Sequence, residues 1–174
     1  MKSTVREANP EDAGAVRDVA RESWHAAYDD LIGAESVDRT IDRWYAVDSL
    51  AESIAGAAER DDATFLVSER TVSTNGDRVV GFANAGPHPE LEATAKLSRI
   101  YARPSVWGEG VGRRLLDRLE ADLTEHFDRL WLEVVAGNEV GISFYESTGF
   151  DRIGEQESVL GDDVVEYLYE KALE

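Results

Sequence analysis

The 174-residue chain contains no cysteine. Disulfides, thiolate metal sites and thiol nucleophiles are thereby excluded, so any thiol chemistry has to arrive with a cofactor. Long apolar runs are missing too: no stretch approaches the roughly 18 consecutive apolar residues that span a bilayer. The opening residues, MKSTVREANPEDAG, carry charge where a secretory signal would be apolar. The expected location is cytoplasmic. Lysine is almost absent, with only Lys2, Lys96 and Lys171 among 18 basic residues, the rest being arginine.

Acidic residues are abundant. Thirty-six of them set the net charge at −18, and they are spread along the whole chain. Such a surface repels nucleic acid and anionic membranes, both of which bind through cationic patches. Two explanations of the charge stay open. It attracts a cationic acceptor such as a polyamine or basic peptide, or it is a solvated surface tuned to high salt, where self-repulsion is screened. The scarcity of lysine beside so much Asp and Glu resembles proteins of salt-accumulating halophiles.

The length and 43% hydrophobic content suit one domain spanning residues 1–174. No internal repeat or long linker divides it. Thr4 to Ala8 reads as a strand, and Asn9-Pro10-Glu11-Asp12 places a cap before a proline in a first helical turn. Val16, Val19, Ala20 and Trp24 then follow helical spacing. Leu31-Ile32-Gly33 breaks it, and helices are expected at Val37 to Tyr45 and Ser49 to Ala58. From residue 64 the pattern turns to strands: Thr64 to Ser68 and Arg78 to Ala85, joined by an Asn75-Gly76-Asp77 turn. Gly86-Pro87-His88-Pro89 is expected to end the second of these. Lys96 to Ala102 is a third strand. Val111, Leu115, Leu116, Leu119 and Leu123 share one helix face. A buried strand at Leu130 to Val135, a helix at Glu139 to Ser147, and strands at Phe150 to Gly154 and Val164 to Lys171 complete an α/β domain with a mixed sheet.

The most informative feature lies between the third strand and the amphipathic helix: Trp107-Gly108-Glu109-Gly110-Val111-Gly112. Glycines let a backbone turn tightly and approach a ligand without a Cβ. Exposed N–H groups backed by a helix N-terminus form an anion site, a natural seat for phosphate or pyrophosphate, and Arg113 and Arg114 add charge. A tight helix–sheet turn explains the same residues. The nucleotide motifs do not fit: no Gly-Lys-Ser/Thr follows, and Leu115 stands where the third glycine of a dinucleotide fingerprint belongs.

Downstream, Leu130-Trp131-Leu132-Glu133-Val134-Val135 runs into Ala136-Gly137-Asn138, then Phe144-Tyr145 and Gly149-Phe150. Together, LSRIYARPSVWGEGVGRRLL and LWLEVVAGNEVGISFYESTGF resemble the two signature motifs of the GNAT superfamily of N-acetyltransferases, in order and spacing, over residues 97 to 150. The resemblance implies an α/β fold with a mixed, largely antiparallel central sheet flanked by helices, and a central strand pair that splays apart. It implies acetyl-CoA as donor, no metal, and a primary amine on a small molecule or peptide as acceptor. A homodimer is compatible with it.

Carried over residue by residue, Ile100, Tyr101 and Ala102 would pair with the pantetheine arm. Trp107, Gly108, Glu109, Gly110, Val111 and Gly112 would hold the pyrophosphate through main-chain amides, with Arg113 at the helix start. Asn138 would meet the cofactor arm, against a competing role as helix cap. Tyr145 matches the tyrosine that protonates the leaving thiolate; tyrosine is protonated at neutral pH and suited to this. Three positions depart from the family pattern: Trp107 replaces Gln or Arg, Glu109 a frequent basic residue, and Gly141 a frequent alanine. Lys96 stands where an acid often serves as base. Candidate bases are therefore Glu133, whose buried strand would raise its pKa, His88, Glu90, Glu92 and Tyr28. Tyr28, His88 and Trp24 are the expected acceptor-binding residues, core packing being the alternative for the aromatic ones. A non-catalytic acyl-CoA sensor, or a transferase of longer acyl groups, is the competing function.

Overall fold

The computed structural model describes residues 3–72, 76–161 and 163–174. Seven strands, β1 (Ser3–Glu7), β2 (Thr64–Val72), β3 (Gly76–Pro87), β4 (Thr94–Ala102), β5 (Arg129–Val135), β6 (Asp151–Glu157) and β7 (Val165–Ala172), form one sheet in the order β1-β2-β3-β4-β5-β7-β6. Every neighbouring pair is antiparallel except β4 and β5. Five helices flank it: α1 (Ala13–Ile32), α2 (Ala34–Trp44), α3 (Val47–Ala58), α4 (Val111–Leu123) and α5 (Glu139–Ser147).

Local chemistry accounts for the boundaries. Asn9 caps the short 3-10 turn Pro10–Asp12: its side chain accepts from the Glu11 N–H, while Asp12 reaches back to the Asn9 N–H at 2.8 Å, the reciprocal arrangement of a capping box. Gly33, at φ 88°, separates α1 from α2. Two expectations are adjusted. Asn75 lies outside the described residues, and Gly76 and Asp77 already belong to β3. β3 runs two residues past Ala85 and ends inside the expected segment, at Pro87, which pairs with Ala95. The ladder tolerates it because β2 begins opposite Ala85, leaving no partner on the other side for a missing N–H to disappoint.

Two apolar layers sandwich the sheet. One packs Leu115, Leu116, Leu119 and Leu123 of α4 against Leu66, Ala83, Leu130 and Leu132. The other packs Val16, Val19, Trp24, Val37, Ile41 and Leu50 of α1–α3 against Phe65, Val67 and Phe82. Burial of each such side chain contributes about 1.5–3 kcal/mol before the entropy of ordering is set against it. Strand alternation decides the facing: on β5, Leu132 and Val134 join the α4 layer and Val135 the α1–α3 layer.

The parallel pair is brief. β4 and β5 are in register only from Thr94–Arg129 to Lys96–Trp131. Beyond that β4 keeps β3 as far as Ala102, and β5 keeps β7 as far as Val135. The two strands diverge, and a gap opens in mid-sheet.

Candidate active site

The gap leads into a cleft of about 520 Å³, within the range of small-molecule sites. Its walls come from the C-terminal half of β4 (Ile100, Tyr101, Ala102), the turn before α4 (Trp107, Gly108, Gly110), the first turn of α4 (Val111, Gly112, Arg113), α5 (Asn138, Phe144, Tyr145) and α1 (Ser23, Ala27). Every residue expected at the donor site lines this cleft except Glu109.

The turn is shaped by glycine. Gly108 and Gly110 have φ of 81° and 84°, a region that penalises a side chain. Gly112 permits a close approach, since a Cβ there would lie 3.1 Å from the Phe144 ring. The first intrahelical bond of α4 runs from the Arg114 N–H to the Gly110 carbonyl at 3.1 Å. The N–H groups of Val111, Gly112 and Arg113 therefore have no acceptor within the helix, and among the described residues those of Gly108 and Gly110 have no backbone acceptor either. Arg113 is exposed at the rim and has no carboxylate partner among the described residues. Five amide donors, a helix N-terminus and one uncommitted guanidinium converge on the cleft. This arrangement suits a diphosphate.

Glu109 is the correction. Its carboxylate is committed to Arg70 at 3.2 Å, and its own N–H donates to the Val106 carbonyl at 3.2 Å. Neither end is left for a ligand, and its negative charge is taken up by a cation on β2. Trp107, the other departure from the family pattern, donates from Nε1 to the Ala102 carbonyl at 2.9 Å and so ties the turn to the end of β4. Ser23 of α1 bonds the same carbonyl at 2.8 Å. That contact joins residues 79 apart in sequence, and no local pattern signals it.

Asn138 is a cap. Its Oδ1 accepts from the Gly141 N–H at 3.0 Å, and its Nδ2 donates to the Tyr28 hydroxyl at 3.0 Å. Gly141 is there for room: a Cβ would stand 2.7 Å from Asn138 Nδ2 and displace the capping amide. The loss of helix propensity at this position is offset by the cap it permits.

Tyr145 sits in the α5 wall with its ring partly exposed along the cleft and edge-on to Phe144 and Phe150. Burial, then repulsion from any phenolate at Tyr28 or Tyr45, holds its pKa above the ordinary value for tyrosine. The hydroxyl is protonated at neutral pH. Burial also pushes Tyr28 up to about 12, against a lowering hydrogen bond from Asn138.

The acceptor-binding expectations fare differently. Trp24 and Tyr28 do not line the cleft. They are 4% and 3% exposed and pack on each other with ring centroids 4.6 Å apart. Both belong to the α1–α3 core, because helical spacing puts them on the face that carries Val16 and Ala20. Tyr28 touches the site through Asn138 and Tyr101. His88 is also corrected. Its Nδ1 accepts the N–H groups of Glu90 and Leu91, each at 3.0 Å, and its ring stands edge-on to Trp131. With Nδ1 engaged by its own turn, His88 shapes that turn and does not line the cleft.

Glu133 is placed on the sheet face opposite α4, about one-third exposed, outside the cleft lining. Its Oε1 lies 3.2 Å from Lys96 Nζ, and its Oε2 accepts from Gln156 Nε2 at 3.0 Å. Gln156 also donates to Glu166 at 2.8 Å. Burial raises the Glu166 carboxyl, Gln156 opposes that, and the neighbouring Glu133 charge adds to it. Sequence reasoning missed Gln156 and Glu166, since only the β5–β7–β6 register brings them beside Glu133. Among the described residues no group of three or more His, Asp or Glu could hold a metal ion. No helix among them is long and apolar enough to cross a membrane.

Comparison with known proteins agrees with this geometry. Over 151 residues, 86% of this chain and 89% of the other, the sequence is 27% identical to the spermidine N(1)-acetyltransferase of Thermoplasma acidophilum. Over 97 residues, 50% of this chain and 66% of the other, it is 35% identical to the ribosomal protein bS18-alanine N-acetyltransferase of Escherichia coli. The crystal structure of the PaiA N-acetyltransferase from Thermoplasma acidophilum, in complex with coenzyme A, superposes with a TM-score of 0.81 at 24% identity, covering 99% of each chain. Residues 16–150 match the sequence profile described as the acetyltransferase (GNAT) family, which is most of the chain, and the protein therefore belongs to that family.

Proposed function

We propose that the protein transfers an acetyl group from acetyl-CoA to a primary amine in a ternary complex. The observation that carries this reading is the single cleft that brings the amide-rich turn, the inner edge of β4 and the Tyr145 hydroxyl together at the place where the sheet parts. The amides of Gly108, Gly110, Val111, Gly112 and Arg113 would hold the pyrophosphate, and residues 100–102 the pantetheine arm. When bound, acetyl-CoA supplies an acyl group activated as a thioester.

The residues then divide the proton traffic. Glu133, facing the other side of the sheet, receives the proton of the incoming ammonium directly or through water, with Lys96 and Gln156 fixing its orientation. The amine nitrogen forms the new bond to the acyl carbon as the carbon–sulfur bond breaks, Tyr145 gives its proton to the departing sulfur, and the second proton shed by the nitrogen passes through water to restore the phenol. Inner-edge N–H groups of β4 are positioned to take up negative charge on the acyl oxygen. The relatives named spermidine and ribosomal-protein-alanine acetyltransferases support an amine acceptor.

The test is direct. Wild-type protein should bind acetyl-CoA by calorimetry and release CoA in the presence of an amine. Gly112→Val pushes a branched side chain at the Phe144 ring and across the turn, and should weaken acetyl-CoA binding by about 100-fold or more, equivalent to about 3 kcal/mol. Wild-type affinity in a folded Gly112→Val protein would overturn the assignment of the turn.

A further inference from the structure

A second cavity of about 420 Å³ lies on the α3 side of β2, β3 and β4. Its lining runs against the character of the chain. In a protein with 36 acidic residues, no acidic side chain lines this cavity, whereas Arg60 and Lys96 do, with Ser53, Thr64, Asn84 and Ser98 as neutral polar groups. Neither cation is used up. Arg60 spends Nε and Nη2 on Asp62, at 2.7 and 2.9 Å, and keeps Nη1. Lys96 spends one of its three donors on Glu133. The Asn84 Oδ1 is buried without a hydrogen-bond partner. A buried orphan of this kind calls for a donor from outside the protein's own atoms.

The cavity and the donor cleft both take part of their walls from β4. Ser98 lines the cavity and Ile100 lines the donor cleft. They are two residues apart on β4, on either side of the bulge that leaves Ser98 without a partner on β3. Lys96 is shared outright, since it lines the cavity and pairs with the carboxylate proposed above to receive the amine's proton.

We infer that this cavity is the head-group site for the acceptor, and that the acceptor is a basic amino acid: its carboxylate lies between Arg60 and Lys96, its α-nitrogen donates to Asn84, and its side-chain amine reaches past Lys96 to Glu133 for acetylation. This rests on the acetyl-transfer reading and narrows it. A polyamine offers no group for the two cations and adds positive charge beside them.

The experiment compares acceptors that differ only by the carboxylate: lysine against cadaverine, and ornithine against putrescine, with spermidine included, by CoA release at saturating acetyl-CoA. The amino acid should have a kcat/KM about tenfold or more above that of its decarboxylated counterpart, the scale of one charge-assisted contact. Arg60→Met, at an exposed turn position, should collapse that ratio towards one. Asn84→Asp, nearly isosteric, should invert it. A wild-type preference for cadaverine, putrescine or spermidine, or a ratio that both folded variants leave unchanged, overturns the inference while acetyl transfer stands. Acetyl-CoA bound by calorimetry, with no CoA released by lysine or ornithine, overturns it likewise. Failure to bind acetyl-CoA at all removes the underlying reading as well.

Discussion

At the scale of single residues, the site shows how little side-chain chemistry the reaction asks of the protein. On the function proposed above, donor binding falls to main-chain amides that a glycine-rich turn leaves unspent, which is why Trp107 and Glu109 can depart from the family pattern without dismantling the cleft. Trp107 ties the turn to β4, and Glu109 is neutralised by Arg70. On the same proposal, proton delivery rests on one phenol. Tyr145→Phe should lower kcat by about 100-fold, the lower end of general acid catalysis, while the acetyl-CoA dissociation constant changes less than about threefold. The discriminating measurement is single-turnover kinetics beside calorimetry, because a purely structural tyrosine would move both quantities together. Since burial raises its pKa, Tyr145 stays protonated through the pH range where free tyrosine begins to ionise, so titration of this residue should not set the alkaline limb of kcat. The aromatic residues of α1 are a lesson of the opposite kind. Trp24 and Tyr28 have the composition of an acceptor wall, and only their burial shows that they are core.

At the scale of elements, the contact between α1 and α2 carries a titratable clamp. His25 of α1 lies between two carboxylates, with Nδ1 2.6 Å from Asp29 and Nε2 2.9 Å from Asp38 of α2. Both ring nitrogens face acceptors, so the doubly protonated ring satisfies the arrangement. Burial lowers its pKa, but the hydrogen bonds and charges of Asp29 and Asp38 outweigh that and raise it. A raised folded-state pKa means that the stabilisation is complete below the unfolded value of about 6.5 and is lost as pH rises through the folded value. The side chain is 27% exposed, and screening keeps the effect to about 0.5–1 kcal/mol. Denaturant midpoints measured from pH 5.5 to 9 should therefore fall more steeply for wild type than for His25→Gln. Parallel curves for the two proteins would show the clamp to be inert.

At the scale of the whole molecule, the net charge of −18 is the dominant fact. Self-repulsion between dispersed carboxylates acts over about 10 Å at 0.1 M salt and about 3 Å at 1 M. The folded state, which packs those charges closest, should gain more from screening than the unfolded chain. We expect the Tm to rise by about 5 °C between 0.1 and 2 M KCl, corresponding to about 2 kcal/mol for a protein of this size. A melting temperature that stays flat or falls would remove salt adaptation as the reason for the acidity. The cation-lined cavity beside β4 would then be notable only for its contrast with the rest of the surface.

Much of this architecture was legible before any coordinates. Helix and strand periods placed the elements within a few residues, because apolar spacing reports directly on which face meets the core. The α4 stripe from Val111 to Leu123 and the glycine turn ahead of it were readable because both are local in sequence. The donor cleft was readable for the same reason, with its β4, turn and α5 walls lying between residues 97 and 150. What the amino-acid order alone determined was thus the elements, the family and the place of the glycine turn ahead of α4. Tertiary structure decided which titratable groups are free. It spent the His88 lone pair on its own turn, paired Glu109 with Arg70, set Glu133 among Lys96, Gln156 and Glu166, and left an unacidic cavity alongside. Those outcomes depend on strand register and on side chains far apart in the chain, and a periodic pattern carries no information about either.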